Sequence, residues 1–306
     1  MTIKQRALQH IINVRTSEVS KIQALANKVQ IRAFSIPEIS HAQANYSAAI
    51  WASKGNEKDA NLIKAKTEFE KVLKANNLSL DKLYPNDVIC DKCKDACIVN
   101  GVICSCSVKT YIDALRKESG LMPDSFTFSD DNLKDVKDSK TKEVLEKAYH
   151  QMSVFVNKYP NVKKNTFVFS GLTGTGKTCL SQAVANGLLE KGFSVKYVSA
   201  FAFNNAMIAV HTAPIESRNN LILDYLTCDL LVIDDLGTEP ITRNVTLEYL
   251  YLVLSTRQEK NLSTIISTNL DGDGIMTRYQ ERIFSRLTSK AFSLSYNFEG
   301  IDLRKI

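Results

Sequence analysis

An eight-residue glycine-rich run constrains the fold of this chain more than any other feature. Residues 171–178 read Gly-Leu-Thr-Gly-Thr-Gly-Lys-Thr and match the pattern G-x-x-x-x-G-K-[ST] in full. An apolar run at 166–170 precedes it, and a helix-compatible run follows from Cys179. Glycines let the backbone bend until its N–H groups face a phosphate, and a helix N-terminus adds partial positive charge. The sequence therefore predicts a phosphate-binding loop between a strand and a helix.

The side chains of this loop have separate expected roles. Lys177 is expected to reach the β- and γ-phosphates of a nucleotide, and the Thr178 hydroxyl is expected to ligate Mg²⁺. Because the loop backbone surrounds the phosphates, we assign nucleotide binding to Gly171, Gly174, Thr175, Gly176, Lys177, Thr178 and Cys179.

Two further polar elements follow apolar strands. The predicted strand 230–234 ends in Asp234, with Asp235 next to it, and the predicted strand 264–267 leads to Asn269. Ligands of α/β folds bind at the carboxyl edge of the sheet. We therefore expect Asp234 to bind the nucleotide together with Mg²⁺, and Asp235 to orient or deprotonate the attacking water. Asn269 either contacts that water or the γ-phosphate, or is only a turn residue.

Arg282 and Arg286 are four residues apart, which places them on one face of a predicted helix. Arginine suits phosphate because its planar guanidinium makes paired hydrogen bonds. One of them can act on the γ-phosphate of a neighbouring subunit; surface ion pairing is the alternative.

Strands and helices alternate from about Thr141 onward. This order predicts an α/β fold with a parallel sheet and helices on both faces. The strands are expected at 166–170, 194–199, 230–234, 264–267 and 293–297.

The N-terminal part differs from the rest in charge and pattern. Residues 1–84 have helical periodicity and carry 13 basic and 7 acidic side chains, whereas residues 85–306 carry 26 of each. The net charge of +6 therefore belongs to the N-terminal part. It indicates either a nucleic-acid or acidic partner, or a solvated lysine-rich surface. No apolar run approaches the roughly 20 residues that span a bilayer. The first residues lack a signal region, and we expect a cytoplasmic protein.

Five of the seven cysteines fall between positions 90 and 106. Cys90 and Cys93 form one close pair, and Cys104 and Cys106 form another. Two such pairs supply four thiolates, as structural zinc prefers, and we predict that these four residues bind Zn²⁺. Cys97 is an alternative ligand. An iron–sulfur cluster and a redox pair remain alternatives to zinc.

Together these motifs resemble one family. The glycine-rich loop, Leu-Val-Ile-Asp-Asp-Leu-Gly-Thr-Glu at 231–239, Ser-Thr-Asn at 267–269 and Glu-Arg-Ile-Phe-Ser-Arg-Leu at 281–287 look like the AAA+ ATPases of the DnaC/DnaI helicase loaders and their transposition relative IstB. The resemblance covers about residues 105–306. The 37 residues after Asn269 do not accommodate a helical lid plus a DNA-binding domain, so we expect a P-loop AAA+ sheet with little or no lid.

The resemblance also implies roles and partners. It implies ATP as the nucleotide, catalytic roles for Asp235 and Asn269, an arginine finger at Arg286 that acts in trans, and a sensor-2 role for Arg304. The implied division is a helical helicase-binding domain at 1–84, a zinc-binding module at 85–118, a linker at 119–140 and the AAA+ domain at 141–306.

The function that this resemblance implies is ATP-dependent loading of a replicative DnaB-family helicase onto single-stranded DNA. The partners would be the helicase, single-stranded DNA and other copies of the chain in a ring or spiral. Two alternatives stay open: an IstB-type transposition helper ATPase, and a nucleotide-switched helicase adaptor with negligible turnover.

Overall fold

The structure, a computed structural model, describes residues 1–86, 88–130, 136, 138–298, 300 and 302. The chain divides into two compact units. One consists of Met1–His10 with Val108–Ile306, and the other of Ile11–Ser107. The first helix, α1 (Ile3–Phe34), therefore contributes residues to both units. Among the described residues, no helix combines the length and apolar character that a bilayer crossing requires.

The unit Ile11–Ser107 is built mainly from helices. After α1 come α2 (Pro37–Ala52), α3 (Ala60–Ala75) and the short α4 (Leu80–Leu83). A proline at the start of α2 suits a position whose N–H needs no helical partner. The carboxylate of Asp59 caps α3 by accepting hydrogen bonds from the backbone N–H groups of residues 61 and 62. The core of these helices consists of Ala33, Ile39, Phe69, Leu73 and Leu83.

A small hairpin follows in the same unit. Strands β1 (Ile98–Val99) and β2 (Val102–Ile103) pair antiparallel. Asn100 and Gly101 connect them with positive φ values of 50° and 79°. Asn-Gly is favoured in two-residue hairpin turns because both residues tolerate positive φ. The turn therefore brings the chain on either side of the hairpin close together.

The other unit contains the predicted α/β fold. Its sheet has five strands in the order β4-β5-β6-β3-β7, and all neighbouring pairs are parallel. The five predicted strands are confirmed, with ends that move by at most two residues. The strands are β3 (Thr166–Gly171), β4 (Val195–Ser199), β5 (Leu230–Leu236), β6 (Ser263–Thr268) and β7 (Ser293–Phe298). The helices are α5 (Val108–Ser119), α6 (Ser139–Lys158), α7 (Lys177–Glu190), α8 (Ala200–Thr212), α9 (Ile215–Thr227), α10 (Thr246–Glu259) and α11 (Gly272–Thr288), and the 3₁₀ turn is Phe128–Asp130.

The strand order decides which side chains can meet. Strand β6 lies between β3, which leads into the glycine-rich loop, and β5, which carries the two aspartates. Because parallel strands end at one edge of the sheet, the loop, the aspartates and Asn269 all lie at that edge. The central strands are buried along nearly their whole length, as expected for a sheet covered on both faces.

The start of α1 packs within the unit of Met1–His10 and Val108–Ile306, which we call the ATPase-like unit. Ile3 and Ala7 are each 1% exposed. Lys4 pairs with Asp229 at 2.8 Å, and Arg6 pairs with Glu118 at 2.7 Å and with Asp224 at 2.8 Å. The first ten residues are thus anchored by apolar burial and by two basic side chains.

We expect Ile3→Ala to lower the free energy of unfolding of this unit by about 3 kcal/mol, because it removes a fully buried branched side chain. Thermal and urea unfolding of the full-length protein measures the change. The matched control is Ile31→Ala on the same helix, where the side chain is 73% exposed and the expected change is within about 0.5 kcal/mol. Equal losses in the two variants would contradict the assigned packing.

Candidate functional site

The glycine-rich loop connects β3 to α7. Gly171, Gly174 and Gly176 have φ values of 136°, 80° and 92°, a region that side chains with a Cβ rarely adopt. A Cβ on Gly171 would also lie 2.2 Å from the carbonyl oxygen of Phe298 on β7. Helix α7 begins at Lys177, directly after Gly176. The loop therefore has the backbone form that directs N–H groups and a helix N-terminus toward one anion.

Lys177 is held across this loop. Its side chain is buried, and Nζ donates to the carbonyl oxygens of Gly171 at 2.8 Å and Leu172 at 2.7 Å. The Thr175 hydroxyl donates to the same Leu172 oxygen at 2.8 Å. Cys179 follows in the first turn of α7 and is half-buried. The ammonium group thus lies among the loop carbonyls, in the part of the fold where phosphates are expected.

Asp234 accepts hydrogen bonds from side chains on three different elements. Its carboxylate is buried and accepts a hydrogen bond from the Thr178 hydroxyl at 3.3 Å, on the first turn of α7. It also accepts from the Ser267 hydroxyl on β6 and, at 2.7 Å, from the Tyr197 hydroxyl on β4. A hydroxyl and a carboxylate this close offer the hard oxygen ligands that Mg²⁺ prefers, so these residues fit the ion.

The two aspartates form a bulge in β5. Ile233 pairs with Ile266 and Leu236 pairs with Thr268, so Asp234 and Asp235 lie opposite the single residue Ser267. Asp235 takes a positive φ of 58°, and its N–H donates to Ser267 Oγ at 2.8 Å. Asp234 is buried, whereas Asp235 is exposed. The strand therefore runs on through both aspartates, where the sequence predicted an end at Asp234.

Tyr197 and Ser267 also contact Asp234, and no sequence motif marks either residue for this role. Burial and the neighbouring Asp234 carboxylate raise the pKa of Tyr197, so its hydroxyl stays protonated and acts as a hydrogen-bond donor at neutral pH. Ser267 bridges the aspartates by donating to Asp234 while accepting from the Asp235 N–H. Both residues lie on strands that flank β5, which only the strand order reveals.

Glu239, the last residue of the run after Asp235, is also buried. Its carboxylate accepts from the N–H of Gly237 at 2.9 Å and from the Tyr279 hydroxyl on α11. The Arg278 guanidinium donates to the backbone carbonyl of Glu239. This loop therefore ties the aspartate strand to the first half of α11.

Asn269 and the two arginines of α11 are further predicted residues that the structure describes. Asn269 is exposed immediately after β6. Arg286 lies on the last turns of α11, beyond a non-helical residue at Gln280, and its guanidinium is 5.6 Å from the Tyr251 ring centre. Arg282 lies 5.2 Å from the same ring and pairs with Glu248 at 2.7 Å. Both arginines thus contact α10.

Asp302, near the C-terminus, lies close to the glycine-rich loop. A Cβ on Gly174 would lie 1.7 Å from the Oδ1 atom of Asp302, so this carboxylate lies directly over the loop. Arg304, predicted as the sensor-2 residue, lies outside the described residues.

The four predicted zinc ligands lie close together in the unit Ile11–Ser107. The sulfur atoms of Cys90, Cys93, Cys104 and Cys106 all lie within 4.8 Å of one another. The Cys90–Cys104 and Cys93–Cys106 sulfur pairs are 3.9 and 3.7 Å apart. A disulfide requires about 2.05 Å. Four sulfurs at about 2.3 Å from a tetrahedral zinc ion are roughly 3.8 Å from each other. The cluster therefore fits Zn²⁺.

Backbone hydrogen bonds support the segment that carries the cysteine cluster. The Asp95 carboxylate accepts hydrogen bonds from the N–H groups of Ile89 at 2.9 Å and Cys90 at 3.0 Å. Hydrogen bonding from the Cys93 N–H lowers the pKa of Cys90 to about 7, whereas burial raises the pKa of Cys93. Cys97 is fully buried, and its Sγ contacts the carbonyl oxygens of Ile11 and Asp95 at 3.8 and 3.7 Å.

Comparison with known proteins identifies the family. The sequence model of the family described as IstB-like ATP binding protein matches residues 129–284, which is slightly more than half of the chain. The chain belongs to this family. The match confirms the resemblance to the IstB-like AAA+ ATPases, and proteins named replicative helicase loader DnaC are similar to part of this chain.

Two curated relatives match over shorter stretches than the family model does. The uncharacterised protein YdaV of Escherichia coli K12 is 32% identical over 135 residues, which are 44% of this chain and 54% of YdaV. The replicative helicase loader DnaC of the same strain is 31% identical over 124 residues, or 40% of this chain and 49% of DnaC. A crystal structure of DnaI has 23% identity and a TM-score of 0.43, covering 58% of this chain and 90% of that one. The chain spans about half the length of the curated relatives YdaV and DnaC.

Proposed function

We propose that this protein is a Mg²⁺-dependent ATPase that loads a replicative DnaB-family helicase onto single-stranded DNA. The observation that carries the proposal is the meeting of Lys177, Thr178 and Asp234 at one sheet edge, in a chain of the IstB-like ATP-binding family. Sequence similarity to proteins named replicative helicase loader DnaC supports the choice of partner.

The residues at the sheet edge have distinct proposed roles. Lys177 binds the β- and γ-phosphates, while Thr178 and Asp234 hold Mg²⁺, which neutralises phosphate charge when bound. Asp235, which is exposed beside the buried Asp234, orients or deprotonates the attacking water. Asn269 projects from the next strand end and contacts the water or the γ-phosphate. The loop glycines, Thr175 and Cys179 surround the phosphates.

The arginines act between subunits in this proposal. Arg286 is half-buried against Tyr251 and belongs to a helix half that begins after Gln280. A guanidinium that reaches the γ-phosphate of a neighbouring copy stabilises the charge that develops during phosphoryl transfer. ATP binding would then favour a ring or spiral of subunits, in which Arg304 serves as the sensor-2 residue.

The N-terminal helices and the cysteine cluster form the proposed helicase-binding part. Four thiolates would close the coordination shell of a zinc ion, which makes the site structural rather than catalytic. Zinc would connect the segment before the hairpin to the segment after it. The proposed helicase surface therefore rests on a small unit that the metal stabilises.

Complex formation with the organism's replicative helicase tests this function. We expect the full-length protein with zinc and ATP to co-elute with the helicase in size-exclusion chromatography with light scattering. The full chain is the appropriate reagent because residues 1–10 pack in the ATPase-like unit. Absence of a complex both with and without ATP would contradict the loader function.

The IstB-like description of the family favours one second candidate, a transposition helper ATPase. That function requires binding to duplex DNA and to a transposase. ATP-dependent duplex binding without any helicase complex would favour it. A nucleotide-switched adaptor differs from both, since Asp235→Asn would abolish hydrolysis while helicase loading stays unchanged.

A further inference from the structure

Tyr197 lies beside the candidate magnesium site on a strand that carries none of the family motifs. Strand β4 pairs with β5 so that Ser199 is opposite Asp234 and Tyr197 is opposite Val232. The tyrosine ring spans this two-residue offset, and its hydroxyl lies 2.7 Å from Asp234 Oδ2. The distance and the donor type describe a charge-assisted hydrogen bond.

The two oxygen atoms of Asp234 have different partners. Oδ1 receives the Ser267 and Thr178 hydroxyls, and Oδ2 receives the Tyr197 hydroxyl. A carboxylate that is hydrogen-bonded at both oxygens has one preferred orientation, because rotation about its C–C bond would break bonds at both ends. Groups that orient a metal ligand in this way commonly change metal affinity by about 10- to 100-fold when removed.

We propose that Tyr197 is a positioning residue for the magnesium site, holding Oδ2 of Asp234 so that Oδ1 faces Thr178 and the metal. This inference rests on the proposed ATPase function. Tyr197 itself does not touch the nucleotide or the metal in this role. Its hydroxyl acts only through the Asp234 carboxylate.

The sheet provides a matched control for this tyrosine. Tyr296 lies on β7, on the other side of the sheet centre, and like Tyr197 it is half-buried. Its hydroxyl oxygen is buried without a hydrogen-bond partner among the described residues. Both tyrosines therefore lose the same atom on substitution by phenylalanine, but only Tyr197 loses a bond to the site.

The affinity for Mn²⁺ in the presence of saturating ADP tests the proposal. Mn²⁺ replaces Mg²⁺ and can be followed by electron paramagnetic resonance. We expect Tyr197→Phe to weaken Mn²⁺ binding by about 10-fold. ADP binding in EDTA should change by less than about twofold, because the loop contacts do not involve Tyr197. Tyr296→Phe should leave both affinities unchanged.

A second measurement separates positioning from a general loss of structure. In an Asp234→Asn background, Tyr197→Phe should have no further effect on Mn²⁺ binding. The carboxylate that Tyr197 orients is already absent from that variant, so the two effects should not add. Additive losses, or equal losses of ADP binding in EDTA, would overturn the proposal in favour of a merely structural tyrosine. Unchanged Mn²⁺ binding in Tyr197→Phe would also overturn it.

Failure of the proposed function gives a different result. If the unmodified protein binds neither ATP nor Mn²⁺ with ADP, the ATPase proposal itself fails, and the role of Tyr197 fails with it. If the unmodified protein binds ATP and also Mn²⁺ with ADP, and Tyr197→Phe has the same affinities, only the proposed role of Tyr197 fails.

Discussion

Substitution of Lys177 by alanine is expected to reduce ATP hydrolysis by about 100-fold or more, in line with the loss of one preorganised donor to a transition-state charge. The ammonium group is buried and lies 2.8 and 2.7 Å from two loop carbonyls. No neighbouring lysine on the first turn of α7 can replace it. Nucleotide binding should also weaken, as measured by titration with a fluorescent ATP analogue.

Lys191 provides the matched control for that substitution. It follows the opposite end of the same helix, where its Nζ donates to the backbone carbonyl oxygen of Val156 at 2.7 Å. Lys191→Ala therefore also removes one ammonium–carbonyl bond, but far from the glycine-rich loop. We expect normal ATP affinity and turnover in this variant. Similar losses in the two variants would mean that Lys177 acts through stability rather than through phosphate binding.

Loss of one cysteine of the four-cysteine cluster is expected to release the metal. Cys93→Ser should lower bound zinc from about one ion per chain to none, and a closed four-thiolate site tolerates no missing ligand without loss of affinity. Because metal binding energy is folding energy in such modules, the unit Ile11–Ser107 should lose at least about 3 kcal/mol of unfolding free energy. Elemental analysis and thermal unfolding, with and without a chelator, measure the two effects.

Cys97 is the control that distinguishes the ligand set. Its sulfur contacts two backbone carbonyls, and it does not belong to the group of four mutually close sulfurs among the described residues. Cys97→Ala should therefore retain zinc, while the loss of a fully buried side chain lowers stability by about 1 kcal/mol. Loss of zinc in Cys97→Ala together with retention in Cys106→Ser would show that Cys97 replaces Cys106 as a ligand.

The structure shows what Glu239, the acidic residue three positions after β5, contacts. Glu239 accepts hydrogen bonds from Gly237 and from Tyr279, which connects the bulged aspartate strand to α11. The same helix continues past Gln280 to Arg286. The buried Glu239 carboxylate thus connects the loop after the aspartates to the helix that also carries the proposed arginine finger.

Much of the fold and the site was predictable from local sequence. The strands could be located because their apolar runs are short and bounded by polar or turn residues, and the P-loop because its glycines and lysine have fixed spacing. The four-cysteine cluster was predictable for a similar reason. Two close pairs mark it directly, and an Asn-Gly turn allows them to meet.

Other features depend on contacts between residues far apart in the chain. Tyr197 and Ser267 reach Asp234 from strands on either side, because β4 and β6 flank β5 in the sheet order. The bulge at the aspartates and the packing of residues 1–10 within the ATPase-like unit likewise involve partners more than 30 positions away. The sequence by itself determined which chemical groups the protein has and at which strand ends they lie. Only the tertiary structure decided which neighbours orient them, because hydrogen bonds between strands follow spatial order and not order along the chain.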